Sequence, residues 1–119
     1  MTNDMKFGRF EPTVDKTIAV GDIKLEHYLF VFPNGFGASV IRNPYSYGGP
    51  QGLYELAVLR KRRKYWEITY KTPITNDVLG NLKYNDVVQA LEDISGLADV
   101  YDLLHKSFVD HDGNVVFVD

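Results

Sequence analysis

The chain contains no cysteine, which excludes a disulfide framework, a thiol nucleophile and any cysteine-ligated zinc. Its three histidines, His27, His105 and His111, are scattered, with no His-x-x-x-His pair to hold a metal. No apolar run approaches the ~18–20 residues needed to cross a bilayer. The first residues lack the apolar core of a signal peptide, and no Asn-x-Ser/Thr acceptor occurs anywhere. These absences lead to the expectation of a cytosolic protein that does not engage membranes. The glycine-rich stretch 47–52 has no Gly-Lys-Ser/Thr with which to cradle a phosphate. Nothing in the local sequence couples a serine or threonine to a histidine, although a spatial triad leaves no such trace. The expectation is a non-enzymatic protein with no catalytic residue, no metal and no cofactor.

What is present fits one domain of ordinary composition. The 119 residues are 45% hydrophobic and 24% charged, enough to build a core. The net charge of −3 hides an asymmetry. Residues 1–71 hold eleven Lys/Arg against seven Asp/Glu, a net +4, and residues 72–119 hold two against nine, a net −7. Such a chain folds into a basic and an acidic region, each able to steer a partner of opposite charge or to associate with another copy end to end.

The order along the chain is strands first, helices later. Residues 1–15 are weakly patterned and read as an extended or partly ordered arm. Residues 17–20 read as a short strand and 24–32 as a longer one, rich in aromatic and β-branched side chains. Pro33-Asn34-Gly35 then signals a hairpin, since both Asn and Gly tolerate positive φ, with 36–42 as the returning strand. Residues 43–52 hold three glycines and two prolines and form a loop. Residues 53–59 and 65–70 make a second hairpin, in which Trp66, Ile68 and Tyr70 alternate with Glu67 and predict one buried face. Thr75 is placed to cap a single helical turn through Val78 and Leu79, closed by Gly80. Val87, Val88, Leu91 and Ile94 form the stripe of an amphipathic helix ended by Ser95-Gly96. Asp99 is placed to cap a second helix carrying Val100, Leu103, Leu104 and Phe108, and residues 114–118 read as a strand after an Asp112-Gly113 turn. The predicted fold is α+β: an antiparallel sheet of four to six strands with one or two helices packed on one face.

The densest chemical signal is Arg60-Lys61-Arg62-Arg63-Lys64, five of the thirteen cations at the tip of the second hairpin. A hairpin needs no such charge to turn. The run suits a phosphate backbone, with Tyr65 and Trp66 beside it to stack on bases. It equally suits an acidic protein surface, where Arg and Trp are common anchors, or it is a solvated tip with no partner. The net negative charge counts against nucleic acid. Tyr45 and Tyr47, in the glycine-rich loop, are a second candidate patch. That loop has two other readings: backbone N–H groups presented to an anion, or a structural crossover. Asp110 to Asn114 lacks the carboxylates of a calcium loop and reads as a turn. Glu55 and Glu67 are placed to face each other across the second hairpin, more simply as solvent-facing glutamates than as an acid–base pair.

The strings Tyr45-Ser46-Tyr47-Gly48-Gly49, Gly52-Leu53-Tyr54-Glu55-Leu56-Ala57-Val58-Leu59 and Thr72-Pro73-Ile74-Thr75-Asn76-Asp77-Val78-Leu79-Gly80-Asn81-Leu82 resemble a group of small, uncharacterised accessory proteins of tailed bacteriophages. In that group the same segments precede an acidic amphipathic helix, and the resemblance spans residues 36–97. It departs at the basic tip, where the group carries a short Asp-Gly-like turn, and at Lys83, where the group places a threonine cap. Residues 98–119 look like an addition. The resemblance implies a phage accessory protein working in the host cytoplasm on a host macromolecule, with stoichiometric inhibition of a defence or regulatory system as its natural job. The expected binding residues are Arg60, Arg62, Arg63, Lys64 and Trp66, with Tyr45 and Tyr47, and a host protein is the preferred partner. A nucleic-acid-binding regulator and a virion-assembly component that self-associates are the alternatives.

Overall fold

The computed structural model describes residues 5–70, 72–75 and 77–97, together with the backbone of 107–109 and 115–117. Its strands are β1 (Val14–Asp15), β2 (Ile18–Val20), β3 (Ile23–Val31), β4 (Phe36–Arg42), β5 (Tyr54–Lys61), β6 (Trp66–Ile68) and β7 (Leu79–Leu82). One helix, α1 (Tyr84–Ser95), follows, and then a separate antiparallel pair, β8 (Ser107–Val109) and β9 (Val115–Phe117). The main sheet is antiparallel, in the order β1-β3-β4-β5-β6. β2 continues along the outer edge of β3, and β7 shares the outer edge of β5 with β6. The fold is α+β, with α1 packed on β4, β5 and β7.

Register fixes which side chains share a face. Tyr28 lies opposite Val40, Phe30 opposite Ala38, and Ala38 opposite Val58. All are buried, and they meet Val87, Ala90, Leu91 and Ile94 of α1. The helix stripe is therefore the one that the spacing predicts, and each of these side chains contributes about 1.5–3 kcal/mol of burial where it is large and apolar. Lys83 sits at the helix N-cap without an acceptor to offer. Asp86 supplies the other half of a capping arrangement, its carboxylate accepting the Lys83 N–H at 2.9 Å.

The N-terminal residues enter the core. Phe7 is fully buried and makes edge-on contacts with Tyr28, Phe30 and Tyr54 at 5.1–6.0 Å between ring centroids, while stacking on Tyr84 at 5.4 Å. The Tyr84 hydroxyl accepts the Gly8 N–H and donates to the Lys6 carbonyl, and Arg9 pairs with Glu92 through two nitrogens. Residues 5–10 are thus clasped between sheet and helix, Val14–Asp15 pairs with the edge of β3, and residues 1–4 of the expected arm lie outside the described residues.

The first hairpin turns differently from the Asn-Gly expectation. Only Gly35 takes a positive φ, +85°; a Phe32–Gly35 turn followed by that glycine makes a three-residue connection. Asn34 is thereby released to cap the helix: its Nδ2 donates to the carbonyls of Ile94 (2.8 Å), Ser95 (3.2 Å) and Leu97 (3.0 Å).

Three expectations are corrected. The helical turn from Thr75 to Gly80 does not form; Thr75 Oγ1 accepts the Asp77 N–H, and Leu79–Leu82 is a strand on β5. Asn81 in the left-handed region (φ 57°) marks the register shift there, and Leu79 and Leu82 join the core, a gain that a one-turn helix does not offer. Phe108 belongs to strand β8 instead of a helix. The Asp99 cap with Val100, Leu103 and Leu104, and the turn from Asp110 to Asn114, lie outside the described residues. Finally, Ile68 and Tyr70 are exposed and Thr69 is buried, the inverse of the predicted face of β6.

Candidate functional site

The basic tip is closed by the Arg62 N–H donating to the Tyr65 carbonyl at 2.7 Å. Strand alternation then parts its five cations. Arg60 lies opposite Glu67 on the helix side of the sheet, its guanidinium 5.3 Å from the Phe36 ring centroid. Arg62 is ion-paired with Glu67. Lys61 lies opposite Trp66 on the other face, and Lys61, Arg63 and Lys64 are exposed. Of the five cations, Arg60 and Arg62 are thus engaged within the chain, and Lys61, Arg63 and Lys64 project. Glu55 does not face Glu67, because it lies opposite Ile41 and accepts the Tyr47 N–H at 3.1 Å.

Tyr45 and Tyr47 are 86% and 66% exposed, but they flank the start of β5 and the basic tip closes its end. Seven residues of strand separate them, about 23 Å, so the two patches are distinct. The loop carrying the tyrosines is also no anion cradle. The N–H groups of Tyr45, Ser46, Tyr47, Gly49, Gln51, Gly52 and Leu53 all donate within the chain. The loop is structural, but it is the connection of a hairpin between the adjacent strands β4 and β5 instead of a crossover, with Gly48 at φ +83° against Asn81, where a Cβ would meet the asparagine 2.8–2.9 Å away.

The face of the sheet opposite α1 is where the structure concentrates apolar surface. Among the described residues the exposed large aliphatics are Val14, Ile18, Val20, Ile23, Val31 and Ile68, each 39–59% exposed. Register puts all six on this side of β3: Val14 opposite Leu29, Val31 opposite Gly37 and Ile68 opposite Leu59 lie over the main sheet, while Ile18 opposite Leu25 and Val20 opposite Ile23 lie beyond the last β3–β4 pair, Glu26 with Arg42. The other exposed large apolar residues are tyrosines. A signal for this was present in the sequence, since Leu25, Leu29 and Val31 alternate with Tyr28, Phe30 and Phe32, leaving the strand apolar on both sides. Sequence reasoning took this strand as β-forming without asking what its second face would meet.

Within that face lies a cleft of about 570 Å³. Its floor is His27, Leu29, Ser39 and Leu59; β1 and Lys16 form one wall, Trp66 and Ile68 the other. Gly37 lets the indole lie across β4, with the Trp66 ring 3.4 Å from where a Cβ would stand. His27 Nε2 and Ser39 Oγ are hydrogen-bonded at 3.0 Å on adjacent strands. Burial, and then the charge on Lys16, hold the His27 imidazole below its ordinary value, favouring the neutral ring. A serine beside a histidine is part of a nucleophilic arrangement, but among the described residues no carboxylate hydrogen-bonds that imidazole to orient it. No cluster of three metal-ligating side chains exists among the described residues either.

A second polar feature, unforeseen from sequence, lies on the helix side. Glu26 is buried and takes two nitrogens of Arg42 and the Tyr28 hydroxyl (2.7 Å), while Arg42 also lies over the Tyr54 ring and donates to the Gly52 carbonyl. Burial pushes the Glu26 carboxyl up, but the hydrogen bonds from Arg42 and Tyr28 outweigh it and hold the group below the ordinary carboxylate range. Burial and the Glu26 charge push the Tyr28 phenol up. With every partner satisfied, this network ties β3, β4 and the loop before β5 together.

Compared with known proteins, the chain matches no family model, no curated protein and no solved structure. No helix among the described residues is long and apolar enough to cross a membrane.

Proposed function

We propose that the chain is a non-enzymatic binding protein that docks a protein partner on the sheet face opposite α1, with the basic hairpin tip at the rim of the contact. The carrying observation is that every exposed large aliphatic among the described residues lies on that side of the sheet, with Val14, Val31 and Ile68 gathered around one cleft beside Trp66. Apolar patches of that kind rimmed by polar groups mark interaction sites. Trp66 and Lys61 join the face to the tip, where Arg63 and Lys64 complement an acidic rim on the partner. The resemblance to tailed-phage accessory proteins supports a host protein as that partner and stoichiometric inhibition of a host defence or regulatory system as the outcome. Arg60 and Arg62, already engaged within the chain, recede as direct contacts, as do Tyr45 and Tyr47 at the far end.

The test compares capture from host lysate by the wild-type chain, by Val31→Lys/Ile68→Lys and by Arg63→Glu/Lys64→Glu, with identification by mass spectrometry. The reading expects a specific protein whose capture is abolished by the first pair and weakened by the second, circular dichroism being unchanged in both. Undiminished capture by the Val31→Lys/Ile68→Lys variant removes the sheet face from the proposal. Nucleic acid recovered with a steep salt dependence, lost only in the tip variant, replaces it with the regulator reading.

A further inference from the structure

We infer that the cleft on the open sheet face is a binding site for an amphipathic organic anion: a flat apolar body lying against Trp66, with one negatively charged group held at Lys16. The inference stands on the lining of the cleft and does not depend on the protein partner proposed above.

A volume of about 570 Å³ lies within the range of small-molecule pockets. Its surroundings have the composition such pockets share, apolar walls with a few polar groups at defined places. Leu29, Leu59 and Ile68 supply the apolar lining, and the indole of Trp66 offers a flat aromatic wall. Charge decides the sign of the ligand. Lys16 is the cation among the lining residues, and none of the residues lining the cleft is an aspartate or glutamate. With the imidazole neutral, the His27–Ser39 pair adds a dipole that hydrogen-bonds a polar substituent without competing for the charge. If His27 Nε2 donates to Ser39 Oγ, the serine hydroxyl proton remains free to point at the ligand. A cation would meet Lys16 and gain no counter-ion; an uncharged apolar molecule would leave Lys16 unused. An anion with an apolar body uses every group that is there.

The geometry also supplies its own reporter, because Trp66 is the chain's one tryptophan. The full chain is titrated with 8-anilinonaphthalene-1-sulfonate, an aromatic sulfonate, and separately with N-phenyl-1-naphthylamine, the same body without the charge. Dye emission, quenching of Trp66 and amide chemical shifts are followed together. The expected result is one saturable site for the sulfonate, with shifts confined to residues 13–16, 27–31, 37–39, 59 and 66–68. Lys16→Gln, at an exposed side chain, weakens the sulfonate by about two- to fivefold, the worth of an exposed charge pair, and leaves the uncharged dye unchanged. Ile68→Glu, also at an exposed position, weakens both dyes. Equal effects of Lys16→Gln on the two dyes overturn the assignment of an anion. Unsaturable binding, or shifts spread through the helix side, overturns the site itself.

Discussion

Replacing Glu26 by glutamine keeps the shape of the side chain and removes one charge from a buried pair. Glu26 is 5% exposed, and Arg42, its partner, keeps about a third of its side chain in water. Breaking a fully buried pair costs about 3–5 kcal/mol; the part-exposed guanidinium can recover some hydration, so Glu26→Gln is expected to cost about 2–3 kcal/mol at neutral pH. For a chain of this length that is a fall of about 10 °C in Tm. The pH dependence separates this from mere misfit. The folded-state pKa of Glu26 lies below its ordinary value of 4.5, so its contribution is fully present above that value and is lost as the pH falls through the folded-state pKa. His27 acts in the same direction but earlier: its folded-state pKa is depressed below 6.5, so stability begins to fall as the pH drops through that ordinary value. Both proteins share the His27 contribution, and it cancels in their difference. Urea unfolding of wild type and Glu26→Gln between pH 7 and pH 3 should therefore give two curves that lie apart at neutral pH and converge in acid. Equal stability at pH 7, or a gap that does not close on acidification, would refute the account of Glu26 as a charge stabilised by Arg42 and Tyr28.

Two further outcomes follow from the packing. Phe7→Ala leaves a void between Tyr28, Phe30, Tyr54 and Tyr84 and is expected to cost about 3–5 kcal/mol in chemical denaturation; an arm lying loosely on the surface would lose almost nothing. Asn34→Ala removes the donor shared by three carbonyls at the end of α1 and is expected to cost about 1–2 kcal/mol, with faster amide hydrogen exchange in the last turn of the helix, whereas a residue serving only the turn would leave that exchange unchanged.

Local chemistry alone specified much of the fold. The strands 24–32 and 36–42, the basic hairpin, the helix stripe at Val87, Leu91 and Ile94 and the later strand at 115–117 were all readable from period and turn residues, because burial imposes those periods wherever one face is wet. The five-cation run was equally plain from composition. Which of those cations face outward was not, since that depends on Arg60 and Arg62 finding Phe36 and Glu67 through the register of β5 and β6. Phe7 looked like part of an arm because nothing near it in sequence tells of Tyr28 or Tyr54. Thr75 was well placed to cap a helical turn through Val78 and Leu79, yet Leu79–Leu82 is a strand, since pairing with β5 and burying Leu79 and Leu82 outweighs a single turn of helix. The sequence showed β3 to be apolar on both sides, but which side stays open, and the cleft on it, were decided by the tertiary structure: β1 and β6 bring Val14 and Ile68 to the side that carries Val31, and only a folded sheet can show that one of its two apolar sides has α1 upon it while the other does not.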